Sequence, residues 1–375
     1  MIAPKSIKNF FISVFMLLSC VQVIQSQENH NDKSHDSHQE SHQKNNHDEP
    51  FDASEMINHH IGDAHSFHIV DINKHSYSLP LPVILYTDNG LVTFMSSEFH
   101  HDNDGKVIVE KNGQKFVSVH ENIYQLNEGE QTLAFDAEHH PTNAKKPLDF
   151  SITKNVFSML MSAIILFLLF SAVARSYKKN PKAPKGLAGF LEPLVLFVRD
   201  DIAIPNIGEH KYAKFMPYLL TVFFFIWINN LIGLVPIFPG SSNLTGNIVF
   251  TGVLAFITFL ITTLSGNKNY WSHILTPPVP KALYPIMIPI EIIGMFTKPF
   301  ALMIRLFANI TAGHIIILSL VSLIFIFKTV AIAPVSAAFV LFMSVLELLV
   351  AALQAYVFTL LSALFIGQAV ADDHH

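Results

Sequence analysis

Arg305 lies in PIEIIGMFTKPFALMIRLFANITAGHIIILSL, a stretch otherwise apolar enough to sit in a bilayer. A guanidinium there costs about 2.5–3.5 kcal/mol on insertion scales, and it cannot escape by losing its proton. Such a residue is expected to hold an anion or to bar a cation. Its companions favour proton handling: Asn309 follows about one turn on, His314 about two and a half turns on, and a second apolar segment near the C-terminus carries Glu347 and Gln354. The bland alternative is an arginine that snorkels to a headgroup or neutralises a neighbouring acid.

At about 100° per residue, Glu291, Lys298, Arg305 and Ala312 form a heptad stripe, and Ala301 and Ala308 flank Arg305 on the same face. Small residues beside a membrane arginine let another helix approach closely, although they equally suit packing within the chain itself. An antiparallel hairpin centred near residues 330 and 331 sets position 314 opposite 347, and 305 within about a turn of 354. His314 then meets Glu347 about 13 Å along the axis from Arg305 and about half a turn round the helix. A fixed cation on one side and an acid–imidazole pair on the other is what two offset aqueous half-paths with a positive barrier between them require.

The elements that must position these residues follow from composition. Half the residues are apolar, only 14% are charged, and there are 32 phenylalanines, which makes this an all-α polytopic membrane protein with a small β-rich N-terminal module. The net charge of −5 arises largely in the polar N-terminal part, and no basic patch interleaved with aromatics appears, so a nucleic-acid partner is excluded. A single cysteine, Cys20, excludes an internal disulfide and a cysteine-based metal cluster.

Residues 1–26 read as a signal peptide: Lys5 and Lys8 precede the apolar run Phe10 to Leu18, and Ser26 offers a small residue for cleavage. An uncleaved anchor is the alternative, and LLSC, ending at Cys20, loosely resembles a lipoprotein box. Residues 27–60 are a polar, His-rich segment expected to be disordered. Most of the 20 histidines lie between His30 and His140, but no ligand spacing recurs, so no metal site is expected. Residues 61–147 read as an exported β-rich extension: FHIVDI, YSLPLPVILYT, LVTFM, KVIVE and KFVSV are short β-prone runs separated by DNG, DNDG and KNG turns.

A membrane domain is expected over 148–375. Val156 to Ala174 carries no charge and is followed by RSYKKNPKAPK, which places that end in the cytoplasm and the extension outside. Leu187 to Lys214 reads as an amphipathic surface segment broken by Pro205. The chain is expected to cross again at Phe215 to Phe238, turn through PGSSNLTGN, and return through Ile248 to Leu264 before the cytoplasmic loop SGNKNYWSHILTPPVPKALYP. Two long apolar segments, about 282–327 and 329–371, complete about five crossings as a long tilted hairpin, with ADDHH inside.

The run KPFALMIRLFANITAGH resembles the signature of subunit a of the F-type rotary ATP synthase. NNLIGLVP, Asn229 to Pro236, resembles an earlier transmembrane motif of that family, and ELLVAALQAYVF, Glu347 to Phe358, is similar to its last helix. The likeness covers about 148–375 and implies a proton-translocating membrane subunit, not an enzyme on its own, in the bacterial inner membrane. It implies that Arg305 faces a rotating ring of subunit c carboxylates, that Asn309 lines the path, and that Gln354 sits near the arginine. Many bacterial members carry glutamate at the position of His314 and histidine at that of Glu347; the exchange here preserves an acid–imidazole pair. Protons are expected to enter from outside through His314 and Glu347, and Glu291 is a candidate for the exit path, with pairing to Lys298 as its structural alternative. Imidazole suits such a role because its ordinary pKa, about 6.5, lets it load and release near neutral pH. The implied partners are the c-ring, the subunit b stalk, membrane lipid and protons, with Na⁺ left open because the ring sets that choice. No cofactor is expected. A proton-coupled secondary transporter is the rival reading, opposed by the odd number of crossings and the lack of an internal repeat.

Overall fold

The computed structural model describes residues 62–72, 75–127, 129–135, 141–179, 186–235, 240, 242–277, 279–327 and 333–371. The expected signal peptide, Cys20, the His-rich segment, part of the basic loop, the turn at 328–332 and the last four residues lie outside them. The chain divides into two compact units. One comprises Met1–Met159, Val235–Ser242 and Ile315–Ser344; the other comprises Leu160–Leu234, Asn243–His314 and Val345–His375.

In the first unit, strands β1 (Ser66–Ile72) and β2 (His75–Pro80) form a hairpin. Strands β3 (Pro82–Thr87), β4 (Gly90–Met95) and, later, β9 (Leu148–Asp149) make an antiparallel sheet in the order β4-β3-β9. Strands β5 (Val109–Lys111), β6 (Gln114–Val119), β7 (Asn122–Leu126) and β8 (Ala144–Lys145) make a second sheet in chain order. The two sheets share a core of Val83, Leu85, Val92, Phe94, Phe99, Val109, Phe116 and Ile123, as period-2 alternation dictates. The expected KNG turn is a two-residue hairpin with Asn112 and Gly113 both at positive φ.

The strands of this unit run past the expected boundary at 147, because β9 pairs with β3. Other elements differ from the sequence reading as well. YSLPLPVILYT divides into β2 and β3 at Leu81, whose N–H is taken by the Ser96 Oγ. Strand β7 has no counterpart in it, because β6 and β7 are joined by His120 and Glu121, both at positive φ without a glycine. Asn103 supports that strained turn: its Oδ1 accepts the Glu121 N–H at 2.7 Å, and its carbonyl accepts the His120 N–H at 3.1 Å.

The helical elements are α1 (Lys154–Lys179), α2 (Leu187–Phe197), α3 (Tyr212–Gly233), α4 (Ile248–Leu264), α5 (Lys268–Leu275), α6 (Tyr284–Phe327) and α7 (Ala333–Val370). In hydrocarbon each backbone group must be satisfied within its own segment, which is why the apolar runs become helices. Four of them, α1, α3, α6 and α7, are long and apolar enough to cross a membrane, or five if α4 and α5, bent by 101° at their junction, count as one crossing. The chain is a polytopic membrane protein.

Pro205 does not break the surface segment. After α2 the helix widens into a π turn, Val198–Ala203, continues through Ile204–Ile207 with Pro205 in its first turn, and stops at Gly208, whose φ of 94° only glycine adopts freely. The helix of the second crossing ends at Gly233, three residues after the paired asparagines, and the expected end at Phe238 lies outside the described residues. The loop after α4 contains α5, opened by Asn267, whose own N–H and side chain bond to the Ala369 and Val370 carbonyls at the end of α7. Lys211 reaches the same Val370 carbonyl at 2.7 Å, so the C-terminal end of α7 is capped from two other segments. The core of the second unit includes Leu219, Phe224, Ile226, Leu302, Leu306, Ala355, Phe358 and Ile366, all nearly inaccessible.

Candidate functional site

Helix α6 presents two faces. Leu302, Leu306 and Ile310 recur every fourth residue and are buried, whereas Ala301, Arg305, Ala308, Asn309 and Ala312 are exposed. The stripe expected from the heptad arithmetic is therefore outward at Arg305 and Ala312, whereas Glu291 and Lys298 on it are only partly exposed. Among the described residues the Arg305 guanidinium has no hydrogen-bond or ion-pair partner, and neither does the Asn309 side chain.

Helix α7 runs antiparallel to α6, as three side-chain links in order demonstrate. Lys298 Nζ donates to Gln368 Oε1 at 2.8 Å, Gln354 Nε2 donates to the Arg305 carbonyl at 3.1 Å, and His314 Nδ1 lies 3.0 Å from Glu347 Oε1. Gln354 is 2% exposed, and its bond is to the backbone from which Arg305 projects. His314 and Glu347 are both mostly buried, their side chains 21% and 10% exposed. A carboxylate and an imidazole at hydrogen-bond distance can pass a proton between them, and nine residues place that pair half a turn away from Arg305.

Glu291 and Asn309 touch none of the other candidates through their side chains among the described residues. The Lys298 ammonium donates to Gln368 and stands 5.5 Å from the Phe365 ring centre; Glu291 acts on it electrostatically, from beyond ion-pair distance.

Several neighbours were not singled out by sequence reasoning. Gly313 borders the acid–imidazole pair: a Cβ on it would lie 2.5 Å from Glu347 Oε1, so only glycine leaves the carboxylate in its present position. Asn230, 4% exposed, accepts the Thr245 hydroxyl at 2.7 Å and donates to the Ala351 carbonyl at 3.3 Å, linking α3 to α7. Asn229 spends its amide N–H on the Phe225 carbonyl, and its Oδ1 is buried without a protein partner. The paired asparagines in an apolar run were the visible signal for both; the identity of Thr245 as partner depends on tertiary folding.

Residues 156–367, more than half of the 375-residue chain, match the model of the family described as ATP synthase A chain. The chain belongs to that family. The stretch that matches this ATP synthase A chain model includes Glu291, Arg305, Asn309, His314, Glu347 and Gln354. Similar proteins include the ATP synthase subunit a of Chloroherpeton thalassium, 53% identical over 248 residues that cover 64% of this chain and 73% of that protein. The ATP synthase subunit a 2 of Chlorobaculum tepidum is 52% identical over 250 residues, 64% of this chain and 70% of its own length. The ATP synthase subunit a of Myxococcus xanthus is 47% identical over 234 residues, 61% of this chain and 76% of its own. Residues 56–150, outside the ATP synthase A chain match, fit a family described as a domain of unknown function (DUF8433).

Proposed function

We propose that Arg305 is the electrostatic barrier between two half-channels that this chain forms against a ring of carboxylate-bearing helices. As a member of its family the chain is a proton-translocating membrane subunit of an F-type ATP synthase, and it is not an enzyme on its own. The observation that carries the proposal is the outward position, among alanines on a spanning helix, of a guanidinium that has no partner among the described residues. Facing lipid it would cost several kcal/mol, so the face calls for a partner bearing negative charge. Ala301, Ala308 and Ala312 leave room for that partner's helix. A deprotonated ring carboxylate is drawn to Arg305, while a free proton is repelled, so the half-channels do not short-circuit.

On the entry side, His314 and Glu347 hand protons toward the ring from outside, with Asn309 along the path and Gln354 holding the Arg305 backbone in place. Asn230 and Thr245 belong to the same polar system. Glu291, about 21 Å before Arg305 along α6, serves the exit toward the cytoplasm. This reading assigns the chain to the bacterial inner membrane, with residues 1–26 a signal peptide, 27–60 a His-rich segment, 61–147 an exported extension and 148–375 the membrane domain. The subunit b stalk and lipid complete its surroundings, and the ring decides between H⁺ and Na⁺.

The test is purification of the assembled complex carrying a cysteine at Ala308 in a Cys20→Ser background. Copurification with nucleotide-binding subunits and a hairpin proteolipid, and a disulfide from position 308 to a cysteine beside the proteolipid carboxylate, are expected. A lone homo-oligomer with no such cross-link would overturn the reading.

A further inference from the structure

The outward face of the β4-β3-β9 sheet breaks the usual rule that an antiparallel sheet is apolar inside and polar outside. Its outward positions are Pro82, Ile84 and Tyr86 on β3, Leu91, Thr93 and Met95 on β4, and Leu148 and Phe150 along β9, with no charge among them. Leu148, Tyr86 and Leu91 stand directly opposite one another across the three strands and are 63%, 54% and 60% exposed; Phe150 is 64% exposed and Met95 41%. Three strands with such a row form a contiguous apolar patch rather than scattered single residues, and a patch of that kind marks an interaction site.

The way this sheet is joined to α1 identifies what covers it. Only three residues lie between Phe150 and Lys154, where a membrane-crossing helix begins, so the edge of the patch lies within about 14 Å of that helix start. The joint is fixed. Asp63 caps the helix, accepting the Asn155 N–H and the Thr153 hydroxyl at 3.0 Å each, and the Ala64 carbonyl accepts the Lys154 N–H at 2.9 Å. Phe67 meets Phe157, in the first turn of α1, edge to face at 5.3 Å, and Asn155 Oδ1 accepts the Ser242 hydroxyl at 2.8 Å. The sheet itself continues into the joint, the Phe150 N–H bonding to the Ile84 carbonyl and the Ile152 N–H to the Pro82 carbonyl. The charge-free run of α1, Val156 to Ala174, is about 29 Å long, close to a hydrocarbon core, which leaves Lys154 and Asn155 at the headgroup layer with these contacts.

We infer that the Tyr86, Leu91, Met95, Leu148 and Phe150 face of the module lies against the lipid headgroup–acyl boundary of the membrane that α1 crosses. Aromatic and long aliphatic side chains are those that prefer this layer, the aromatic ring spanning its polar and apolar parts. The module is thereby a second membrane contact beside the start of α1. The inference needs α1 to cross the membrane and is independent of the proton path.

The experiment places single nitroxide-labelled cysteines at Leu91 and Leu148, and at Asn112 in the β5–β6 turn as a control, in the full Cys20→Ser chain within its purified complex. The complex is reconstituted in phosphatidylethanolamine–phosphatidylglycerol vesicles. Collision with oxygen, which partitions into lipid, is compared with collision with a water-soluble nickel chelate. The oxygen-to-nickel ratio is expected to be several-fold higher at 91 and 148 than at 112, and to fall to the control value in a lipid-free detergent exchanged for an amphipathic polymer. Ratios equal to the control in vesicles would overturn the inference. So would labels shielded from both reagents, which would mean a protein partner, or dipolar broadening between labels, which would mean a second copy of the chain.

Discussion

An imidazole 3.0 Å from a carboxylate, both mostly out of solvent, gives a proton two acceptors within one short step, and removing either partner leaves the other, mostly buried, without its hydrogen-bond partner. His314→Ala or Glu347→Ala is therefore expected to slow ATP-driven proton pumping by on the order of ten- to a hundredfold, the worth of about 1.5–3 kcal/mol for a charged hydrogen bond. The double exchange His314→Glu with Glu347→His should recover more activity than His314→Glu alone, which crowds two carboxyls together. A double-mutant cycle on pumping rates measures the coupling, and strictly additive effects would mean that the two residues do not work as a pair. The pairing itself was legible because a polar side chain in an apolar helix is conspicuous and two straight helices with one turn have a computable register. Gly313 was not, because the need for a hydrogen at that position exists only once the Glu347 carboxylate is packed against it.

Elements were legible where one period dominates and obscure where a turn departs from its usual residues. Helices α4, α6 and α7 fall within a few residues of their apolar runs, whereas β7 was missed because His120 and Glu121 occupy left-handed backbone positions that normally advertise themselves as Asn-Gly. The π turn before Pro205 was likewise invisible, since nothing in VRDDIA announces a widened helix. At the same scale lies a pH dependence of the module. Burial pushes the Asp149 carboxyl upward, but hydrogen bonds from His65, at 3.0 Å, and from Ser151 outweigh it and hold the group below its ordinary value. A carboxyl with a depressed folded pKa contributes stability that is complete above its unfolded value, about 3.9, and is lost as pH falls through the folded one. Asp149→Asn should therefore speed hydrogen exchange in β3 and β9 at pH 7, with the difference from wild type shrinking as pH drops below about 4. An equal difference across that range would place the effect in packing instead.

For the molecule as a whole, composition announced a membrane protein and charge-free runs announced its crossings, but the division of the chain into two units could not be read from it. Each unit is assembled from three separate segments, and which segments join is decided by packing rather than by local pattern. Sidedness in the membrane rests on the basic loop that begins at Arg175. Cysteines placed singly at Asn103 and Lys179, in a Cys20→Ser background, should react with an impermeant reagent in intact cells only at 103; reaction at 179 instead would invert every direction given for the proton path. The central claim, that an outward, unpaired guanidinium separates two half-channels, is tested most directly by Arg305→Ala in inverted membrane vesicles. ATP-driven proton pumping should be abolished while passive proton leak through the membrane sector persists or rises, and vesicles that still pumped at near the wild-type rate would contradict the account.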